Sequence, residues 1–195
     1  MSGERRRSTV GRDEPPARPE LTVVTGRQDT APDRPSWRPD DVPQGGPEAV
    51  VLLLSGPNLN LLGQRQPEVY GRDSLVDHVA RATLAAAEYG LAVRHVQSDY
   101  EGALVEAVHE ARGQASAIVV NPGALTHYSW SLHDALAAFD GPVVELHLTN
   151  PARREAWRHQ SVVAPVATGL IAGFGGEGYR LAIEAVVALL RSGRH

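Results

Sequence analysis

No cysteine and no lysine occur among the 195 residues. Without thiols there are no disulfides, no thiolate metal sites and no cysteine nucleophile, and the redox compartment stays undecided. Without lysine there is no Schiff-base amine, no pyridoxal phosphate anchor and no Walker-type phosphate loop. All 19 basic residues are arginine. No apolar run approaches the roughly 20 residues of a membrane helix. The N-terminus lacks the apolar core of a secretion signal, and its mixed arginine and acidic residues do not suit a transit peptide, so a cytoplasmic location is expected. A net charge of −4 with 42% hydrophobic residues separates the chain from bulk-charge nucleic-acid binders and from wholly disordered proteins.

Residues 1–48 differ from the rest. They hold eight of the 14 prolines, alternate arginine with acidic residues and offer one short apolar patch at 21–24. Such a stretch cannot bury enough apolar surface to offset its ordering entropy. It is expected to be a disordered tail, with a single domain over 49–195. Within the domain, residues 51–71 read VLLLSGPNLNLLGQRQPEVYG. Four consecutive aliphatics predict a strand buried on both faces. The polar loop that follows exceeds the roughly 2–6 residues of a plain strand-to-helix connection. Helices are expected over 74–89, 101–112, 130–139 and 179–190, strands over 91–96, 117–120, 143–148 and 162–164. A helical turn or short helix is expected at 150–157 and a glycine-rich connection at 169–178. Alternating strands and helices imply a parallel sheet with right-handed crossovers. The α/β, flavodoxin-like, five-stranded order 2-1-3-4-5 suits the length.

Residues 173–178, GFGGEG, fit the glycine spacing of a dinucleotide fingerprint. That fingerprint needs a following strand and an acidic residue about 20 positions on, and the sequence runs out after one helix. The glycines are expected to start that helix and allow close packing. The polar strand ends carry more. The first delivers Asn58, Arg65 and Tyr70. The strand at 117–120 delivers Asn121, Pro122, Gly123, Thr126 and His127. The strand at 143–148 delivers Glu145, His147, Thr149 and Asn150, with Arg153, Arg154 and Arg158 beyond. Taken singly, these read as a turn, a cap and a solvated helix face. In a parallel sheet the three ends share one edge, and their convergence favours a site.

Arginines and amides suit an anionic, hydroxylated small molecule. Thr149 and the adjacent backbone N–H groups at a helix start make a carboxylate pocket. Tyrosine is a poor base at its free pKa of about 10, and an arginine such as Arg65 beside Tyr70 favours the phenolate. His147, with Glu145 two residues earlier on the same strand face, suits a general acid. Tyrosine as base and histidine as acid suggest removing a proton beside a carbonyl and expelling a hydroxyl. His127, His147 and His159 offer a metal alternative, but their spacing matches no zinc pattern and no carboxylate cluster accompanies them.

The blocks GPNLNLLGQRQPEVYG (56–71), QSDYEGAL (97–104), NPGALTHYSWSLHDAL (121–136), VELHLTN (144–150) and SVVAPVATGLIAGFGGEGY (161–179) resemble type II 3-dehydroquinate dehydratase, an enzyme of the shikimate and quinate pathways. They follow in the family's order over nearly the whole domain; residues 1–48 lie outside. The resemblance implies a flavodoxin-like subunit in a homo-oligomer, a dodecamer of trimers, with no cofactor and no metal. It implies that Tyr70 takes the C2 proton, that Arg65 helps activate it, that Asn58 holds the water stabilising an enolate, and that His147 protonates the leaving C1 hydroxyl. Asn121, Leu148 and Thr149 match carboxylate-binding positions. His127, Asp134 and Arg158 match positions that bind ring hydroxyls, Asp134 from a neighbouring subunit, and Arg154 is a further site arginine. Type I enzymes use a Schiff-base lysine, which this chain lacks. Thr149 stands where serine is usual, and Ala152 where the family has histidine. Tyr128 and Trp130 are bulkier than the usual threonine and valine, and His133 replaces arginine; these bear on trimer contacts and affinity. The alternative is a catalytically inactive, ligand-binding relative of the same fold. A receiver domain is excluded by the missing lysine, and a metal-dependent hydrolase would lose activity to a chelator.

Overall fold

A computed structural model describes residues 49–64 and 67–193. The tail expected over residues 1–48 and the candidate Arg65 lie outside the described residues. The first strand, β1 (Ala49–Ser55), owes its place to the aliphatic run: Val51, Leu52, Leu53 and Leu54 are each 0% exposed. It pairs in parallel with β2 (Leu91–Gln97) on one side and β3 (Ala117–Asn121) on the other. Adding β4 (Val143–His147) and β5 (Gly169–Ala172) completes a five-stranded parallel sheet of order β2-β1-β3-β4-β5, as expected.

A short helix, α1 (Pro67–Tyr70), lies in the loop after β1. The longer helices are α2 (Leu75–Ala87), α3 (Glu101–Ala111), α4 (Trp130–Ala137) and α5 (Glu177–Ser192). Side chains of a strand alternate between faces, so β1 feeds two cores. Val51 and Leu53 pack with Ala82 and Ala86 of α2 and Ile183 and Val186 of α5. Leu52 and Leu54 pack with Leu104 and Val108 of α3 and Leu132 and Leu136 of α4. Each such leucine or valine contributes roughly 1.5–3 kcal/mol of apolar transfer free energy. Helix α2 starts on a capping box. Ser74 Oγ accepts the Asp77 N–H at 3.3 Å, and the Asp77 carboxylate accepts the Ser74 N–H at 2.8 Å, satisfying two otherwise orphaned donors.

The fifth strand lies elsewhere than expected. Residues 162–164 form no strand; a 3-10 turn covers Ala164–Val166. Pro165 has no N–H to give to a ladder, and Val163, 0% exposed, plugs the core beside α3 and α4 instead. The edge strand is Gly169–Ala172, inside the stretch expected to be a connection. It pairs from Val144↔Gly169 to His147↔Ala172, and its flanking glycines hide it from a reading of pattern. The helical turn or short helix expected at 150–157 is two 3-10 turns, Pro151–Arg153 and Ala156–Arg158. The glycines of 173–178 do start the last helix and allow close packing: a Cβ on Gly178 would stand 2.9 Å from the Leu146 side chain.

On the α2 and α5 side of the sheet His78 is buried and His95 half-buried. Burial pushes His78 below its ordinary value of 6.5, with Arg81 acting in the same direction. Burial alone does the same to His95. Below pH 6.5 the unfolded chain therefore binds protons that the folded chain does not, and stability falls as pH drops toward the depressed folded values. Urea midpoints measured between about pH 7 and pH 5.5 should fall with acidification, and His78→Leu should flatten part of that slope. A slope unchanged in the variant would show that His78 does not contribute.

Candidate active site

The chain leaves β1 toward β2 on one side and returns at β3 on the other, so the crevice at their carboxyl ends is a topological switch point. The seam is closed by bare backbone. Gly56 N–H donates to the Asn121 carbonyl at 2.8 Å, and a Cβ on Gly56 would lie 2.3 Å from the Pro122 carbonyl oxygen. Just beyond, Asn58 adopts a left-handed backbone (φ 65°) with its N–H donating to Asp99 Oδ1 at 2.8 Å. Asparagine tolerates this conformation better than other side-chain-bearing residues.

Above the seam is a cleft open to solvent. Nine sequence-derived candidates line it: Asn58, Tyr70, Asn121, His127, His147, Leu148, Thr149, Arg154 and Arg158. Asp134 is exposed on α4 and does not line the cleft of its own chain.

His147, at the end of β4, is oriented from below. Its Nε2 lies 2.8 Å from Glu145 Oε1, and Glu145 is 0% exposed. The same carboxylate accepts from the Thr126 hydroxyl and from Ser161 Oγ at 3.1 and 3.2 Å. A buried carboxylate persists only when its oxygens are satisfied in this way. With Nε2–H committed to Glu145, Nδ1 is the ring nitrogen available to the cleft. His127 is fixed oppositely: Nδ1–H donates to the Gln160 carbonyl at 2.7 Å. A carbonyl oxygen only accepts, so Nδ1 carries a proton and Nε2 is the nitrogen left outside that bond. Trp157 meets His127 edge-on at 5.3 Å and carries Arg158 over its ring at 3.9 Å. Glu155 Oε2 accepts from Arg158 Nε at 2.8 Å.

Tyr70, which also lines the cleft, ends α1. Arg154 Nη1 lies 3.4 Å from both the Tyr70 hydroxyl and Thr149 Oγ1, with its guanidinium 5.8 Å from the Tyr70 ring centre. The bond to Tyr70 holds the Arg154 proton above its ordinary affinity. The arginine beside the tyrosine among the described residues is thus Arg154, from the loop after β4. His159 lies apart from the cleft lining, its Nε2–H donating to the Arg154 carbonyl at 3.1 Å. Among the described residues no group of three or more His, Asp or Glu side chains is placed to hold a metal ion. Pattern did not single out Ser161, which meets Glu145 from sixteen residues away with no periodicity to signal it, or Tyr179, which meets Asn121 from 58 residues away.

Fold and cleft together define an α/β protein with an open cleft at the carboxyl edge of a parallel sheet, lined by the Tyr70–Arg154 pair and by a histidine held on a buried glutamate. The description Dehydroquinase class II matches residues 49–187. A 3-dehydroquinate dehydratase of Cereibacter sphaeroides is 52% identical over 143 residues, spanning 73% of this chain and 97% of the relative. One from Bacillus licheniformis is 53% identical over 134 residues, spanning 69% and 92%. The crystal structure of a type II dehydroquinase from Butyrivibrio crossotus superposes with a TM-score of 0.71 at 38% identity, covering 73% of this chain and 99% of that one. The chain belongs to the class II dehydroquinases.

The Glu145 cluster yields a stability test. Thr126→Val keeps the shape and deletes a hydroxyl that satisfies a buried carboxylate. Urea denaturation should show a loss of about 2 kcal/mol, the scale of a hydrogen bond to a charged group. A loss near zero would mean that Glu145 does not depend on that hydroxyl.

Proposed function

We propose that this chain dehydrates 3-dehydroquinate to 3-dehydroshikimate by trans elimination through an enolate. The observation that carries the reading is that Tyr70, paired with Arg154, and His147, held on the buried Glu145, line one cleft, in a member of this family. Arg154 supplies the positive charge that a Tyr70 phenolate needs, and Arg65 is assigned the same task from the loop. The phenolate takes the proton from C2, and the C–H electron pair moves into the C2–C3 bond as the C3 carbonyl becomes an enolate. Asn58, held by its strained backbone at the end of β1, positions the water that stabilises that oxygen.

The enolate then collapses. The carbonyl re-forms, a C1–C2 double bond appears, and the C1 hydroxyl leaves as water with a proton from His147 Nδ1. Glu145 stabilises the imidazolium that donates it. The substrate carboxylate is held by Asn121, by the backbone N–H groups of Leu148 and Thr149, and by the Thr149 hydroxyl. His127 and Arg158 hold ring hydroxyls. Asp134, absent from its own cleft, is assigned to that of a neighbouring subunit, within a dodecamer of trimers. A cytoplasmic location belongs to the same reading; among the described residues no helix is long and apolar enough to cross a membrane.

Purified protein incubated with 3-dehydroquinate should develop the ultraviolet absorbance of the conjugated product. Tyr70→Phe should lower kcat by about 10²–10⁴-fold, the usual contribution of a general base, while the protein stays folded. A folded wild type that binds the substrate without turning it over would instead identify an inactive, ligand-binding relative. The assembly is tested separately by light scattering, which should report about twelve chains of 20.9 kDa. A monomer would remove the role given to Asp134.

A further inference from the structure

Behind the cleft, Asn121 is backed by polar side chains to which the reaction above gives no role. Asn121 is 2% exposed yet borders the cleft. Its Oδ1 accepts the Gly123 N–H at 3.3 Å, and its Nδ2 donates to the Tyr179 hydroxyl at 3.4 Å. Tyr179, on α5, is 0% exposed and stacks on His78 at 5.0 Å with the rings 6° from parallel. Its hydroxyl also bonds the Ser55 side chain, and Ser55 Oγ lies 3.1 Å from His95 Nε2. Ser55 and Asn121 are register partners across β1 and β3. Their side chains therefore leave the sheet on one face, the face that α5 covers with Tyr179.

The order of donation follows from the groups themselves. The Asn121 Nδ2–H is a donor, so the Tyr179 oxygen accepts. Ser55, whose bond holds the Tyr179 pKa down as that of Asn121 does, is a second donor to the same oxygen, which leaves Ser55 Oγ to accept from His95 Nε2–H. Burial pushes the Tyr179 phenol up to about 12 and His95 below its ordinary value. Both stay neutral near pH 7, so these side chains are a fixed set of dipoles.

An asparagine amide presents an acceptor at one end and two donors at the other, and a half-turn exchanges them. Turned the other way, Asn121 would set its N–H₂ against the Gly123 N–H, donor against donor. It would also aim its carbonyl oxygen where the cleft needs a donor. We propose that Tyr179, backed by Ser55 and His95, is a positioning residue that locks the Asn121 amide with an N–H toward the cleft, selecting a ligand that presents a carboxylate there. The identity of that ligand rests on the functional reading above; the orientation of the amide does not.

Tyr179→Phe keeps the ring and its stack on His78 and deletes the oxygen. Two measurements test the inference. Hydrogen exchange of the Asn121 side-chain amide, followed by NMR, should be slow in the wild type and about tenfold faster in the variant. With 3-dehydroquinate, KM should rise about 3- to 10-fold, the worth of one hydrogen bond, while kcat stays within about twofold. Ser55→Ala should shift both in the same direction by less. Unchanged amide exchange and KM in Tyr179→Phe would overturn the proposal. So would kcat and KM worsening in step with a loss of thermal stability, which marks a merely structural role. If Tyr179→Phe does not fold, Ser55→Ala decides, and wild-type exchange and KM in that variant overturn it. A wild type without turnover would count against the functional reading, and amide exchange would still decide the inference.

Discussion

The site depends on how closely two loops approach where β1 and β3 diverge. The connections leaving these strands run in opposite directions, which opens a crevice above them and forces their first residues together below it. The Gly56 N–H reaches the Asn121 carbonyl at 2.8 Å, and Gly123, at φ +57°, comes near the Pro57 carbonyl. A side chain on Gly56 would occupy the space of the Pro122 carbonyl. Because backbone alone seals the seam, the next side chains on each strand, Asn58 and Asn121, face the same small volume. Asn121 is held through its side chain and Asn58 through its backbone N–H before any ligand arrives, which lowers the ordering cost of binding.

The histidine and the tyrosine of the cleft are supported differently. His147 stands at the end of a buried strand, on a carboxylate satisfied by hydroxyls from two other segments. Removing Glu145 from water costs several kcal/mol, and three donors offset that cost while fixing the ring nitrogen that faces the cleft. Tyr70 stands on a four-residue helix between Gly63 at φ +82° and Gly71 at φ +86°. Its polar support is the side chain of Arg154, arriving from the loop after β4. A base and an acid anchored on separate parts of the sheet edge can reach a ring from different directions.

The candidate site was legible in the sequence to the extent that strand ends were. Val51 to Leu54 and the aliphatics of 117–120 have no polar alternation, and such runs belong to parallel strands covered on both faces; 143–148 departs from that pattern at Glu145 and His147, both of the site. Once those strands are parallel, the polar residues after each must share an edge. The misplaced fifth strand shows the limit of the same reasoning. Val162 and Val163 look more strand-like than Gly169 and Leu170. Pro165 spoils the first segment, and the exposed edge of the sheet accepts the second, where Leu170 is left 54% exposed.

What the sequence by itself determined is the alternation of buried strands and amphipathic helices, the strand ends that carry chemistry, and the exclusion of thiol and amine nucleophiles. These follow from local periodicity and from residue types, which need no knowledge of distant contacts. Tertiary structure alone decided which groups touch. It set Arg154 against Tyr70 across 84 positions, Ser161 against Glu145, and Tyr179 against Asn121 across 58. The physical reason is that hydrogen-bond partners of buried groups are chosen by proximity after the layers pack, and nothing in the chain's periodicity records who will be near.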